Sequence, residues 1–128
     1  MTPAECVELV GAACLCATGW SHWRHHGAWS RLFARWSEMG NSGALLNGLM
    51  HAGVGALFVL VHPIFTGPSS LLTWWATLVL IKGLTYLVAP SIGLRSMRRV
   101  APDRSRSLRW VGVPMVALGL AVGGIALT

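Results

Sequence analysis

The sequence predicts an all-α integral membrane protein with four transmembrane helices and an interfacial amphipathic helix between the first two. The 128 residues are 54% hydrophobic and only 11% charged, whereas soluble domains carry about 25% charged residues. Nine of the ten basic residues fall in two short segments, residues 24–35 and 95–109. This length allows a single membrane domain, residues 1–128.

The first predicted span covers residues 3–20. Thr2, Pro3 and Glu5 have the spacing of a capping box with proline at the first helical position. The stretch would extend about 27 Å as a helix, close to the thickness of a bilayer core of about 30 Å. Glu8 lies inside it, so a helix lying partly in the interface is the alternative.

The segment after the first span predicts an interfacial helix at residues 28–38. Trp29, Leu32, Phe33 and Trp36 share one helical face. A basic amphipathic helix rich in tryptophan is typical of the headgroup boundary of a membrane. The alternative is a loop helix that packs on the bundle.

Three more spans are predicted at residues 44–62, 71–89 and 108–127. Pro90 is expected to end the third, and Tyr86 to mark the interface near that end. Small residues repeat on the second and fourth spans, which favours close helix packing. These packing residues are Ala44, Gly48, Ala52, Ala56, Gly119 and Gly123.

The net charge of +6 is interpreted as a topology signal, because basic loops of membrane proteins face the cytoplasm. Both basic segments then lie on one side of a bacterial inner membrane, and both chain termini are periplasmic or exterior. We expect anionic lipid headgroups, and no nucleic acid, as the partners of these residues. The arginines assigned to headgroups are Arg31, Arg35, Arg95, Arg98 and Arg99.

Lys82 is the one charged residue deep within an otherwise apolar span. An intramembrane lysine is costly and therefore indicates a functional site by default. His51 and Asn47 are expected at similar depth on the second span. The three side chains form either a polar centre for an ion, a proton or a lipid headgroup, or an interhelical clamp that fixes packing.

Glu8 and His62 form a second expected pair near the opposite membrane face, either as a simple contact or as part of a proton relay. Haem ligation by His51 and His62 would need matching ligands from a second copy. His22, His25 and His26 are weak candidates for a metal site. No cofactor is otherwise expected.

The cysteines in the first span, Cys6, Cys14 and Cys16, are interpreted as small buried packing residues. The sequence contains only four acids and no catalytic triad or phosphate-binding loop. We therefore expect a protein that is not an enzyme.

Residues 43–128 resemble small uncharacterised multi-pass proteins of the bacterial inner membrane. The hairpin GVGALFVLVHPIFTGPSSLLTWWATLVLIKGLTYLVAP loosely resembles a helical hairpin of acid-resistance membrane proteins of the HdeD type. The tail, with its arginine cluster, PDR and LRWVG, is similar to the two-helix YjeT-like family. The resemblance implies that Lys82 before Gly83 is a shared feature of such hairpins, and it implies no activity.

The leading functional expectation is an accessory or structural subunit of a larger membrane complex, or a homo-oligomer held by the small-residue stripes. The first alternative is a small transporter or channel for an ion, a proton or a solute, using Lys82, His51 and Asn47. A further alternative is a haem- or metal-binding membrane protein.

Overall fold

The computed structural model describes all 128 residues and contains helices but no strands. A short 3₁₀ turn at Pro102–Arg104 precedes the last helix. The six α-helices are α1 (Pro3–Arg24), α2 (His26–Glu38), α3 (Asn41–Val61), α4 (Ser70–Val88), α5 (Pro90–Arg98) and α6 (Ser107–Ala126).

The start of α1 forms as predicted. The Thr2 side chain accepts a hydrogen bond from the Glu5 backbone N–H, and the Glu5 carboxylate accepts one from the Thr2 backbone N–H. These two bonds satisfy backbone donors that the helix itself leaves unpaired.

Three helices, α3, α4 and α6, are long and apolar enough to cross a membrane. The prediction of four such helices is wrong, because α1 does not meet this standard. With 22 residues α1 is long enough, but Glu5 and Glu8 near its start and Arg24 at its end lower its hydropathy. Its position in the bundle instead depends on packing against α6.

The helices pack as two antiparallel pairs, α3 with α4 and α1 with α6. In the first pair the backbones meet at glycines. A Cβ atom at Gly83 would lie 2.7 Å from the Gly48 carbonyl oxygen, and one at Gly55 would lie 2.7 Å from the Ala76 carbonyl oxygen. Any larger residue at these positions would separate the helices.

In the second pair, α1 and α6, the backbones also meet at glycines. A Cβ atom at Gly19 would lie 2.6 Å from the Gly112 carbonyl oxygen, and one at Gly119 would lie 2.9 Å from that of Ala12. A Cβ atom at Gly123 would make ordinary contact with Ala12, at 3.4 Å.

Both predicted small-residue stripes are therefore used within one chain. Ala44, Gly48 and Ala52 are buried, and Ala56 is half-buried. In this arrangement α3 packs on α4 and α6 packs on α1.

The two amphipathic helices α2 and α5 contact each other at one end of the bundle, which we call the basic end. The predicted helix at residues 28–38 is present and begins two residues earlier, at His26. The Ser30 hydroxyl is buried and donates to the Val100 carbonyl oxygen. Thus α2 packs on the segment that follows α5.

The sequence did not reveal α5. Pro90 ends α4, as expected, but it also begins α5, where its missing N–H costs nothing. Gly93 and Met97 of α5 are buried, and its arginines are exposed. All nine arginines of the chain lie at the basic end, whereas the two chain termini lie at the opposite end.

The interpretation of the cysteines as buried is wrong for two of them. Cys6 and Cys14 are exposed on the outer surface of α1, and Cys16 is half-buried. Cys16 packs on α6 beside Ala12 and Gly19, and its thiol lies 3.8 Å from the Val116 carbonyl oxygen.

The glycine contacts predict that Gly83→Ala destabilises the protein while Gly53→Ala does not. A Cβ atom at Gly83 collides with the α3 backbone, whereas one at Gly53 meets nothing within 4 Å. We expect Gly83→Ala to lower the free energy of unfolding by about 1–3 kcal/mol, the usual cost of overpacking. Unfolding by sodium dodecyl sulfate in mixed micelles measures both variants, and equal stability of the two would contradict the packing.

Candidate intramembrane site

A cavity of about 290 Å³ lies between the two helix pairs, in the half of the bundle nearer the basic end. Every helix contributes to its wall. Its polar lining residues are Thr18, His22, Asn47, His51, Lys82, Tyr86 and Ser96. Its apolar lining residues include Trp29, Phe33, Met50, Met97, Leu108, Val111 and Met115. A pocket with an apolar wall and a few polar groups is the usual form of a small-molecule site.

Lys82 and His51 meet at this cavity. Lys82 Nζ lies 3.0 Å from His51 Nε2, so the predicted neighbours on α3 and α4 are in hydrogen-bond contact. His51 Nδ1 lies 2.9 Å from the Asn47 carbonyl oxygen one turn earlier. Because a carbonyl can only accept, Nδ1 carries a proton, and Nε2 is then free to accept from the lysine.

Asn47 faces the same cavity with an incomplete set of hydrogen bonds. It is 2% exposed, and its Oδ1 atom has no donor within the chain. A buried amide oxygen without a partner is costly, so a donor from a bound molecule would stabilise this site. Asn47 therefore contributes its backbone carbonyl to His51, while its own Oδ1 atom is buried without a donor.

Lys82 both lines the cavity and is exposed on the outer surface of α4. Met50 and Val111, which also line the cavity, are exposed at 40% and 46%. The cavity therefore opens sideways, onto the surface that lipid tails contact when α3, α4 and α6 span a membrane. In that arrangement Lys82, about 9 Å from the end of α4, would lie within the bilayer core.

Tyr86 lies one turn beyond Lys82 and two residues before the end of α4. It is 5% exposed, and its ring centre lies 5.7 Å from Lys82 Nζ. This distance is within the range of a cation–π contact. The spacing of four residues on one helix was the available signal for this contact. The expected position of Tyr86 at the membrane interface stays a prediction.

The opposite wall of the cavity contains a histidine–tryptophan stack that sequence reasoning missed. The rings of His22 and Trp29 are 4.3 Å apart and nearly parallel. His22 Nδ1 donates to the Thr18 carbonyl oxygen at 2.9 Å, and Trp29 Nε1 donates to Ser21 Oγ at 3.0 Å. These bonds fix both rings at the junction of α1 and α2.

The candidate metal residues His22, His25 and His26 are not brought together. His22 is buried in the stack, His26 Nδ1 lies 3.3 Å from Ser105 Oγ, and His25 is exposed. No group of three His, Cys, Asp or Glu side chains is placed to hold a metal ion.

Glu8 and His62 form a buried pair at the end of the bundle opposite the basic end. His62 Nε2 lies 3.0 Å from Glu8 Oε1, and the two residues are 1% and 2% exposed. His62 Nδ1 lies 2.9 Å from Thr73 Oγ1, and that hydroxyl lies 2.6 Å from the His62 carbonyl oxygen. One network thus joins α1, the end of α3 and α4.

The hydrogen bonds of Thr73 determine how protons are arranged in this network. The single Thr73 hydroxyl proton points to the His62 carbonyl oxygen, so Oγ1 accepts from His62 Nδ1–H. One further proton lies between His62 Nε2 and Glu8. The pair is neutral overall whichever partner holds this proton, and this neutrality lowers the free-energy cost of burying the pair.

Both ring nitrogens of His51 and of His62 have partners within the chain. A haem iron could bind either histidine only by displacing one of them.

An apolar cluster separates the two polar groups along the bundle. Phe58 lies on α3 between His51 and His62, and Ala76 lies on α4 between Thr73 and Lys82. The remaining members of the cluster are Ala12, Leu15, Leu72 and Val122. No continuous path of polar side chains joins the Lys82–His51 pair to the Glu8–His62 pair.

The arginines expected to contact headgroups lie on two separate surfaces of the basic end. Arg31 and Arg35 are exposed on α2. Arg95, Arg98 and Arg99 instead line one open cleft together with Arg104.

Comparisons with protein-family models, curated proteins and solved structures found no match to this chain. The resemblance of residues 43–128 to HdeD-type hairpins and to the YjeT-like family therefore stays a prediction.

The buried pair predicts strong coupling between Glu8 and His62 in protein stability. His62→Ala leaves a buried carboxyl group without its partner, so we expect a loss of about 3 kcal/mol or more. The double variant Glu8→Ala/His62→Ala should lose less than the sum of the single variants, with a coupling of about 1 kcal/mol or more.

Denaturation in mixed micelles measures this double-mutant cycle. Thr85→Val is the matched control, because the exposed Thr85 hydroxyl bonds only to the Ile81 carbonyl oxygen of its own helix. Additive losses at Glu8 and His62 would contradict the network.

Proposed function

We propose that this chain is an integral membrane protein that binds the anionic headgroup of a single-chain amphiphile in its lateral cavity. The observation that carries the proposal is the Lys82 ammonium group, which lines that cavity deep in α4 without an acidic partner.

The charge balance around Lys82 favours an anionic ligand. No carboxylate oxygen lies within 4.0 Å of Lys82 Nζ, because the one ion pair of the chain joins Glu8 and His62. A charged side chain at this depth in a membrane is costly unless it is paired. The headgroup of an amphiphile would supply the missing negative charge, and charge-assisted hydrogen bonds of this kind are short and strong.

The surrounding polar groups suit a headgroup that both accepts and donates hydrogen bonds. His51 accepts from Lys82 and so holds the amine at the cavity, which leaves the other ammonium protons available. A hydroxyl or an N–H of the ligand would supply the donor that the buried Asn47 Oδ1 atom lacks, once the amide turns toward the cavity. If Lys82, His51 and Asn47 served only as an interhelical clamp, the Lys82–His51 bond would be explained but the unpaired Asn47 Oδ1 atom would not.

The apolar wall and the sideways opening suit a hydrocarbon tail. Met50 and Val111 line the cavity and are exposed at its mouth. A tail leaving at that point would pass directly into the lipid phase without contact with water. Binding by this route needs no water-filled entrance.

A channel is less well supported by this geometry, because an apolar cluster separates the polar groups at the two ends. The expectation of an accessory subunit or homo-oligomer stays a prediction, but its motivating stripes pack inside the chain. A binding role requires no catalysis, and none of the four acids lines the cavity.

For the orientation, we propose that the basic end faces the cytoplasm of a bacterial inner membrane and that both chain termini face the exterior. The segregation of nine arginines to one end supports this, since positive charge is retained on the cytoplasmic side. With this orientation α2 and α5 lie at the cytoplasmic headgroup level.

Labelling of single cysteines in intact bacterial cells tests the orientation. In a variant with Cys6, Cys14 and Cys16 replaced by alanine, we expect Thr128→Cys to react with a membrane-impermeant maleimide. Arg99→Cys should react only after the cells are permeabilised. The reverse pattern would contradict the proposed orientation.

Binding of dodecanoate to the protein in lipid nanodiscs tests the proposed ligand, with uncharged dodecanol as the comparison. We expect dodecanoate to bind more tightly, and Lys82→Met to raise its Kd about tenfold, a loss of about 1.4 kcal/mol. Lys82→Arg should retain binding, because the positive charge remains.

Native mass spectrometry measures the bound fraction. Leu78→Met is the matched control, since Leu78 is exposed one turn before Lys82 and does not line the cavity. Equal binding of dodecanoate and dodecanol, or unchanged binding to a folded Lys82→Met variant, would refute the proposal.

A further inference from the structure

Helix α5 separates two different environments at the basic end. Ser96, Met97 and Val100 on and just after this helix line the lateral cavity. Arg95, Arg98 and Arg99 share another face, as residues spaced by three and four do on a helix. This second face forms the arginine cleft, whose lining residues are Ser91, Leu94, Arg95, Arg98, Arg99 and Arg104.

Two chain segments build the arginine cleft. Three arginines belong to α5 and the residue after it, and Arg104 ends the 3₁₀ turn that follows. Leu94 is the only apolar residue of the lining, so the cleft is unlike the cavity on the other side of α5.

The positive charge of the cleft is not balanced within the protein. None of its four arginines forms an ion pair, although Asp103 is adjacent to Arg104 in the chain. Four guanidinium groups around one concave surface repel one another. A ligand with a single negative charge would relieve this repulsion less than a ligand with two.

We propose that the arginine cleft binds a phosphate monoester, a group with nearly two negative charges at neutral pH. Its three terminal oxygens can accept several guanidinium N–H donors at once, and arginine pairs with phosphate in a bidentate manner. The Ser91 hydroxyl adds a further donor to the lining. The phosphate belongs either to a lipid headgroup or to a soluble phosphate compound.

This site is distinct from the one occupied by the proposed amphiphile. The two linings share no residue, and Lys82 is absent from the cleft. Loss of dodecanoate binding in the Lys82→Met variant can therefore be distinguished from loss of phosphate binding in the cleft, and one proposal can fail without the other.

The experiment compares soluble short-chain lipids binding to the full chain in detergent micelles. The probes are dioctanoyl phosphatidic acid, which carries a phosphate monoester, and dioctanoyl phosphatidylglycerol, which carries a diester. We expect the monoester to bind about tenfold more tightly, and Arg98→Gln/Arg99→Gln to remove most of this preference.

Arg31→Gln/Arg35→Gln is the matched control, because it removes the same charge from the basic end without altering the cleft. It should change the preference by less than about twofold, as expected for screened surface charges. Circular dichroism and thermal unfolding verify that both double variants are folded.

Competition with inorganic phosphate distinguishes the two sources of the ligand. Displacement of the lipid by millimolar inorganic phosphate assigns the cleft to soluble phosphate compounds, and resistance to it assigns the cleft to a lipid headgroup. Equal affinity for the monoester and the diester would overturn the proposal. An equal loss of preference in the two double variants would also overturn it.

Discussion

Close contact between helix backbones at small residues is the constraint on which the rest of this structure depends. Gly48 and Gly83 bring α3 against α4, and Gly19 and Gly112 bring α1 against α6. Lipid tails are as apolar as leucine side chains, so the hydrophobic effect does not drive such helices together. Dispersion contacts at short range hold each pair, and even the Cβ atom of an alanine at Gly83, Gly19 or Gly112 would collide with the facing backbone.

The helices within each pair are in close backbone contact, whereas the space between the two pairs is occupied by side chains. At one end that space is filled by the buried network of Glu8, His62 and Thr73, which carries no net charge. In its middle lies the apolar cluster around Leu15 and Phe58. At the basic end the space remains open as the lateral cavity, where Lys82 is held by His51. The bundle is thus closed at one end and contains an open cavity at the other.

Much of the helical framework could be predicted from patterns that act locally. The capping box at Thr2 and the apolar lengths of α3, α4 and α6 require only neighbouring residues, and these features match the structure. The number of apolar spans was overestimated by one, because a helix like α1 can join a bundle through packing while its own hydropathy remains modest. Helix α5 was not predicted, because its closely spaced arginines obscure the helical spacing of its buried residues. It also begins at a proline, which usually indicates the end of a helix.

By itself the sequence determined the helical membrane class, the clustering of arginines and the presence of polar residues at matching depths on different helices. Only the tertiary structure decided which helix faces meet, because rotation of a helix about its axis depends on packing partners that are distant in the chain. It brought Lys82 to His51, turned Tyr86 inward and stacked His22 on Trp29. It also gathered Arg104 with the arginines of α5 into one cleft.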